Sequence, residues 1–432
     1  LPSSLTKIGT WAFSCCYNQT DANIPATVTS IGSYAFAYCS GLESATIPEG
    51  ITTLTGTFRQ CENLVSVSLP STVTSLGDYT FSQCTLLTEV NIPDTVTTIG
   101  AYCFYKGKNL PNISLPSSLT KLGNYAFGYC PNQTDANIPE TVTSIGTYAF
   151  AYCENLKTAS IPQGTEKISD YMFRNCPNLE LVSIPDSVTV LGQYCFANCS
   201  KLTEVDIPAG VTEIGAYCFY KCNKLEDLYV PAGVTKIGAS AFAYCDKLTD
   251  VVIPETVTRI ENSTFQECEN LENVKIHDGI TYIGDNAFYD CRGLTRIDIP
   301  ASVQTIEYRS FAECRNLTQI VFYGDPPEID NYAFDRYGEI TAYYPENNPA
   351  WTEDVMQDYG GALTWKTAEA ISIKTQPKTG YAKMGESAKV SVKAEGVGLK
   401  YQWYIKNAGG SKYSKSSVTK ANYSTTMNDK SK

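Results

Sequence analysis

The residue types that most readily do chemistry are spread very unevenly through this 432-residue chain. It has seventeen cysteines but one histidine, His277. Zinc ligation needs four ligands that converge on a point, and a nucleophilic thiol needs a base beside it. The cysteines follow a different plan. Thirteen share one recurring position: Cys16, Cys39, Cys61, Cys84, Cys130, Cys153, Cys176, Cys199, Cys222, Cys245, Cys268, Cys291 and Cys314, with Gly107 in the one internal gap. Such a ladder spreads its sulfurs along a line, as small apolar filler would be. Free, buried thiols are therefore expected, although rungs ~4.8 Å apart leave single disulfides geometrically open. Cys103, Cys195 and Cys218 occupy a second recurring position, and Cys15 adjoins Cys16. His277 stands where most copies have proline and reads as a surface-exposed substitution. Cys268 and Cys291 belong to the ladder, so no Cys–His pair is expected.

Other chemistry is equally unsupported. Glycines follow isoleucine as turn residues of the repeat, and no phosphate-loop pattern occurs. Neither an EF-hand loop nor a Gly-rich calcium repeat is present. The carboxylates recur at repeat positions, which marks a polar face rather than a catalytic pair. No catalytic residue, metal or cofactor is expected, and an enzyme within these residues is not.

The element that positions all of these residues is a repeat, typified by Ile138 to Pro162, IPETVTSIGTYAFAYCENLKTASIP. Its proline returns every 23 residues from Pro2 to Pro300, with one 22-residue interval between Pro48 and Pro70; His277 and Tyr323 take the slot in two further copies. A phenylalanine lies eleven steps after each start, from Phe13 to Phe334, one step early at Phe58; of the sixteen, only Phe322 lies elsewhere. A fixed period of this size predicts a solenoid whose coils share one long core. The second half of each copy alternates apolar and polar residues, the period of a half-buried strand. Leu156, Ala159 and Ile161 point inward; Thr158 and Ser160 point outward. A second short strand is expected over Val142 to Ile145, and a helical or 3₁₀ turn over Tyr148 to Tyr152. Successive strands should stack into a continuous parallel wall.

The pattern C-x-x-L-x-x-V-x-I-P-x-x-V-x-x-I-G-x-Y-A-F resembles the leucine-rich repeats of the BspA type, found in bacterial surface proteins. The resemblance covers roughly four-fifths of the chain. It implies a mostly β solenoid over 1–345. It also implies non-catalytic attachment to extracellular-matrix proteins and other bacteria, from an extracellular, cell-surface location. Residues 346–370 read as a C-terminal cap and linker, with a short helix from Trp351 to Tyr359. Residues 371–432 resemble part of a bacterial Ig-like module, Trp403 standing for its core tryptophan.

Charge narrows the partners. Residues 371–432 carry +9 and the rest −21 of the net −12. An acidic body repels phosphate backbones, so nucleic acid is not expected. No apolar run approaches the ~18 to 20 residues of a membrane span. The chain opens inside a repeat at Leu1-Pro2, so an export signal and an anchor are expected to lie outside it. A block of five units is duplicated, LPSSLTKIGTWAF at Leu1 returning as LPSSLTKLGNYAF at Leu115, which suits multivalent attachment.

What remains for function is the outward strand surface. It varies between copies and gains charged and aromatic residues in the second half. The expected binding stripe is Glu204, Asp206, Asp227, Tyr229, Asp250, Asn273, Lys275, Arg296 and Asp298, with Tyr229 and Arg296 as anchor types. The leading expectation is a monomeric adhesin that binds a host-matrix or bacterial surface protein on this wall. The alternatives are a glycan-binding module, which would use tyrosines such as Tyr34, Tyr148 and Tyr217 if they face solvent, and a structural spacer.

Overall fold

Each 23-residue copy forms one coil with three sides, and each side hydrogen-bonds to the same side of its neighbours. The computed structural model describes residues 1–226, 228–335 and 338–368, and beyond them only six short strands between Ser372 and Thr426. Those strands pair antiparallel where they pair. Trp403 and most of the expected Ig-like segment lie outside the described residues.

The first side is the alternating strand. Thr158–Ser160 pairs in parallel with Asp135–Asn137 before it and Leu181–Ser183 after it. Side-chain alternation buries Ala159 at its centre. The second side is the two-residue strand before the glycine, Ser144–Ile145, paired with Lys121–Leu122. The glycine that closes it has a packing reason. A Cβ on Gly146 would lie 2.3 Å from the backbone nitrogen of Asn124 in the previous coil, so only glycine lets the coils approach.

The third side corrects the expected helical turn. Tyr148 and Tyr152 have φ of +58° and +62°, the left-handed region. Between them alternate N–H groups donate across the coil boundary: Tyr148 to Asp170 O, Phe150 to Met172 O and Tyr152 to Arg174 O. A helical turn would have spent those donors within the coil and left the neighbouring carbonyls bare. Satisfying the backbone between coils therefore prevails over local helicity.

Inside run two ladders. The phenylalanines stack ring on ring from Phe13 to Phe334, with centroids 5.2 Å apart at Phe13–Phe36 and 6.0 Å at Phe150–Phe173. The cysteines do more than fill space. Each rung from Cys39 donates its thiol to a phenylalanine carbonyl of the previous coil, as Cys153 does to Phe127 O at 3.2 Å and Cys268 to Phe242 O at 3.1 Å. Gly107 is the one internal position without such a donor. The thiols are free. Burial pushes those of Cys130, Cys176 and Cys268 up to about 12, and those of Cys153, Cys199 and Cys245 well above their ordinary value.

The first side is not continuous, contrary to expectation. It breaks at Asn112, where the preceding residue is Pro111. Proline has no N–H to give the ladder. The side chain of buried Gln133 fills the gap, accepting from Ile113 N–H at 2.9 Å and donating to Pro111 O at 2.7 Å. Further on, Glu226 N–H donates to Thr203 O at 3.1 Å, so the inter-coil bonding of this side resumes beyond that break.

Two further expectations need correction. His277 is buried, not exposed; its Nδ1 accepts from Gly279 N–H at 3.0 Å and so ties down the turn that proline shapes elsewhere. The segment Trp351 to Tyr359 is not a helix; it is a chain of turns. Nine residues hold a helix poorly on their own, and the aromatic side chains have other partners. Trp351 Nε1 donates to Gly324 O, Trp365 Nε1 donates to Gln357 O, and both indoles pack on Phe322. The last two long strands, Glu339–Pro345 and Ala362–Ala368, pair in parallel and continue the first side.

Candidate functional site

The first side presents one outward residue of each coil at each of two steps, and register decides which of them meet. Asp250 lies opposite Asn273, and Val252 opposite Lys275. Asn273 Nδ2 donates to Asp250 Oδ1 at 3.0 Å, and Thr249 Oγ1 donates to Asp250 Oδ2 at 3.0 Å. Glu204, Asp206, Asp250, Asn273, Lys275 and Asp298 are all exposed. Tyr229 is 72% exposed and is the most open large side chain of the wall. Asp227 lies outside the described residues.

Arg296 is placed differently from a free anchor. Its side chain is only 7% exposed. The guanidinium is held by Asp298 Oδ1 at 2.5 Å and reaches Gln319 Oε1 at 3.5 Å and the Tyr323 hydroxyl at 3.4 Å. Its charge is already answered. Val321, at a step that faces outward in other coils, is buried; the register sets it between Asp298 and Tyr343 as the wall thickens toward the last strands. The outward residues that the types alone did not single out are Val252 at 64% exposure and Leu181 at 55%. Their signal was in the sequence: apolar residues at steps where other copies carry polar ones. Tyr229 and Val252 fall at the same step of adjacent coils, so the wall has an apolar centre bordered by Asp206, Asp250 and Lys275.

The third side carries a second arrangement. From Tyr79 to Tyr217, seven tyrosines at one step stack with centroids 4.2 to 5.0 Å apart and planes within 13°. Two guanidiniums lie over this ladder, Arg59 4.8 Å from the Tyr79 ring centroid and Arg174 5.1 Å from that of Tyr194. Burial pushes the phenols of Tyr102, Tyr171 and Tyr194 up. Offset stacking uses both faces of the inner rings. Tyr148 and Tyr171 therefore have no face free for a sugar, whatever their edges expose. Among the described residues no group of three or more His, Cys, Asp or Glu side chains is placed to hold a metal ion, and no helix is long and apolar enough to cross a membrane.

Comparison with known proteins adds three findings. The family model for the BspA type leucine rich repeat region matches in six copies over residues 1–56, 54–177, 120–249 and 235–354. A leucine-rich repeat protein from Bacteroides ovatus is similar at 27% identity with a TM-score of 0.60, over 75% of this chain and 92% of its own. A leucine rich cell surface protein from Faecalibacterium prausnitzii is 30% identical over 66% of this chain and 86% of its own, with a TM-score of 0.47. No curated protein matches.

Proposed function

The chain belongs to the BspA-type leucine-rich repeat family, and from that premise we propose that it is a non-catalytic adhesion module at a bacterial cell surface, binding a protein on the outward wall of its first side. The single observation that carries this reading is the pair Tyr229 and Val252, 72% and 64% exposed at one step of adjacent coils. Large apolar side chains rimmed by polar ones mark interaction surfaces more often than plain solvated ones, and tyrosine is a favoured anchor in interface centres. Asp206, Asp250, Lys275 and Asp298 form the polar rim, with Glu204 and Asn273 alongside; Asp227 belongs to the same stripe by its position in the repeat. Arg296 acts within the wall, holding Asp298 and Tyr323 in place. Residues 346–370 read as the piece that closes the solenoid, since Trp351 and Trp365 cover Phe322.

The test is binding of the protein to immobilised matrix proteins and whole bacteria. Changing Tyr229→Ala together with Val252→Thr should weaken a protein hit by at least about 2 kcal/mol, while Arg296→Lys should act mainly on stability. A hit that survives the double change would move the site off this wall.

A further inference from the structure

We propose that the third side of the solenoid holds a separate groove, between Glu62 and Glu154, that binds a linear anionic oligosaccharide. The groove has a volume of about 560 Å³ and is lined by five successive coils. Four steps of ~4.8 Å make it roughly 19 Å long. Lys106 and Lys108 stand at its middle, on either side of Gly107, the glycine that replaces the ladder cysteine in that coil. Neither ammonium has a carboxylate partner among the described residues. On one flank lies the side-chain amide of Gln83; on the other, Tyr129 and Tyr152 stack at 4.1 Å. Lys106 Nζ lies 5.3 Å from the Tyr105 ring centroid and 6.0 Å from that of Tyr129, which holds its charge at the groove wall.

These features select the ligand class. A peptide would need a free backbone edge or deep apolar pockets. Here Phe104 and Lys106 donate their N–H groups to the next coil, at Ala126 O and Gly128 O. A chain of sugars needs neither. Its hydroxyls pair with amide and phenol groups along a shallow trough, and an acidic substituent meets the paired lysines.

The duplicated block supplies an internal control. Tyr217, Tyr220, Lys221 and Tyr244 repeat Tyr102, Tyr105, Lys106 and Tyr129 in sequence and geometry. Tyr105 and Tyr129 meet edge to face at 5.5 Å and 81°; Tyr220 and Tyr244 do so at 5.2 Å and 75°. Lys221 lies 5.3 and 5.1 Å from its two rings. The surroundings differ. Asn223 replaces Lys108, Pro177 replaces Glu62, Asp246 replaces Pro131 and Glu267 replaces Tyr152. Asn223 Nδ2 is engaged by Asp246 Oδ2 at 2.7 Å. One cation is lost and the carboxylates rise from two, Glu62 and Glu154, to three, Asp246, Glu267 and Glu269, so the second copy keeps the frame and is less hospitable to an anion.

The experiment is calorimetric titration of the full chain with a uronic-acid tetrasaccharide, its methyl ester and a sulfated tetrasaccharide, at two salt concentrations. Binding of either anionic probe, weakened by salt and at least about tenfold tighter than the ester, is expected. The two anionic arms tell carboxylate from sulfate. Lys108→Asn should reduce binding at least about tenfold with an unchanged melting temperature, whereas Lys221→Asn and the Tyr229→Ala/Val252→Thr pair should leave it within about twofold. Equal binding of the ester, no binding of either anion, or indifference to Lys108→Asn would overturn the proposal. Because the wall pair is silent here, failure of this groove and failure of the protein-binding wall give different results.

Discussion

The coils from Tyr79 to Tyr217 and those from Ser240 to Arg309 share one backbone but not one surface. In the first stretch, the left-handed residue that opens the third side is always tyrosine, and the rings form an unbroken stack. In the second it is Ser240, Ser263, Asn286 and Arg309, at φ of 52° to 57°. The same strained turn is made with and without the aromatic ring. The phenylalanine spine, in contrast, passes through both stretches unaltered, from Phe81–Phe104 at 5.4 Å to Phe288–Phe311 at 5.2 Å. The difference separates what the coil requires from what it merely accommodates. Stacked coils need a large apolar side chain at the spine; they need a left-handed turn at the tyrosine step, but not a tyrosine. The short third copy makes the same point with Gly56 at φ +58°, where the Tyr34 ring fills the space a side chain would take.

That comparison is open to direct attack. The largest effect is expected at the spine: Phe150→Ala and Phe265→Ala should each cost about 3–5 kcal/mol, measured by urea unfolding. Similar losses would confirm that the spine serves both stretches alike; a mild Phe265→Ala would show that the second stretch relies on other contacts. The ladder should matter less. Tyr148→Ser removes two stacked contacts and should cost roughly 1–3 kcal/mol, while leaving the fold and its circular dichroism intact. A larger loss would make the tyrosine as obligatory as the phenylalanine. The smallest effect concerns pH. The thiols of Cys130 and Cys268 have an ordinary value of 9.0 and are pushed up to about 12 by burial. Proton release therefore favours the unfolded chain first. Their contribution is fully present below pH 9 and is lost as pH rises from 9 through 12. Tyr129, raised from 10.0 to about 12, adds to the loss above pH 10. The urea midpoint should hold steady up to pH 9 and fall beyond it, and a Cys130→Ala variant should fall less steeply. A midpoint flat to pH 12 would show that these groups are not desolvated.

Much of this was legible in the residues because a repeat states each rule many times. One phenylalanine per coil at one step announces a spine, and alternation around Ala159 announces which face is inward. The acidic, variable outward stripe was equally readable, and Tyr229 stands where its position in the copy put it. Less legible were contacts between residues that the period does not relate. Arg296 lies in the wall because Asp298 and Tyr323 close on it, and Val321 is buried by strands that belong to the decaying end of the pattern. His277 violates the proline rule and so carried no template for its environment. The turns over Trp351 to Tyr359 follow from where Phe322 and Gly324 wait for the indoles, which no local propensity records.

The sequence by itself determined the solenoid, its period, its two inner ladders and the polarity of each strand position, because those follow from spacing and from which side chains leave water. Only the tertiary structure decided the sign of φ at Tyr148 and Tyr152, the break in the first side at Asn112, and the gathering of Lys106, Lys108, Tyr129 and Tyr152 along one groove. The reason is that each of these is settled between coils. A backbone N–H chooses its partner among carbonyls 21 to 24 residues away, and a groove exists only once five coils have been stacked at their common spacing.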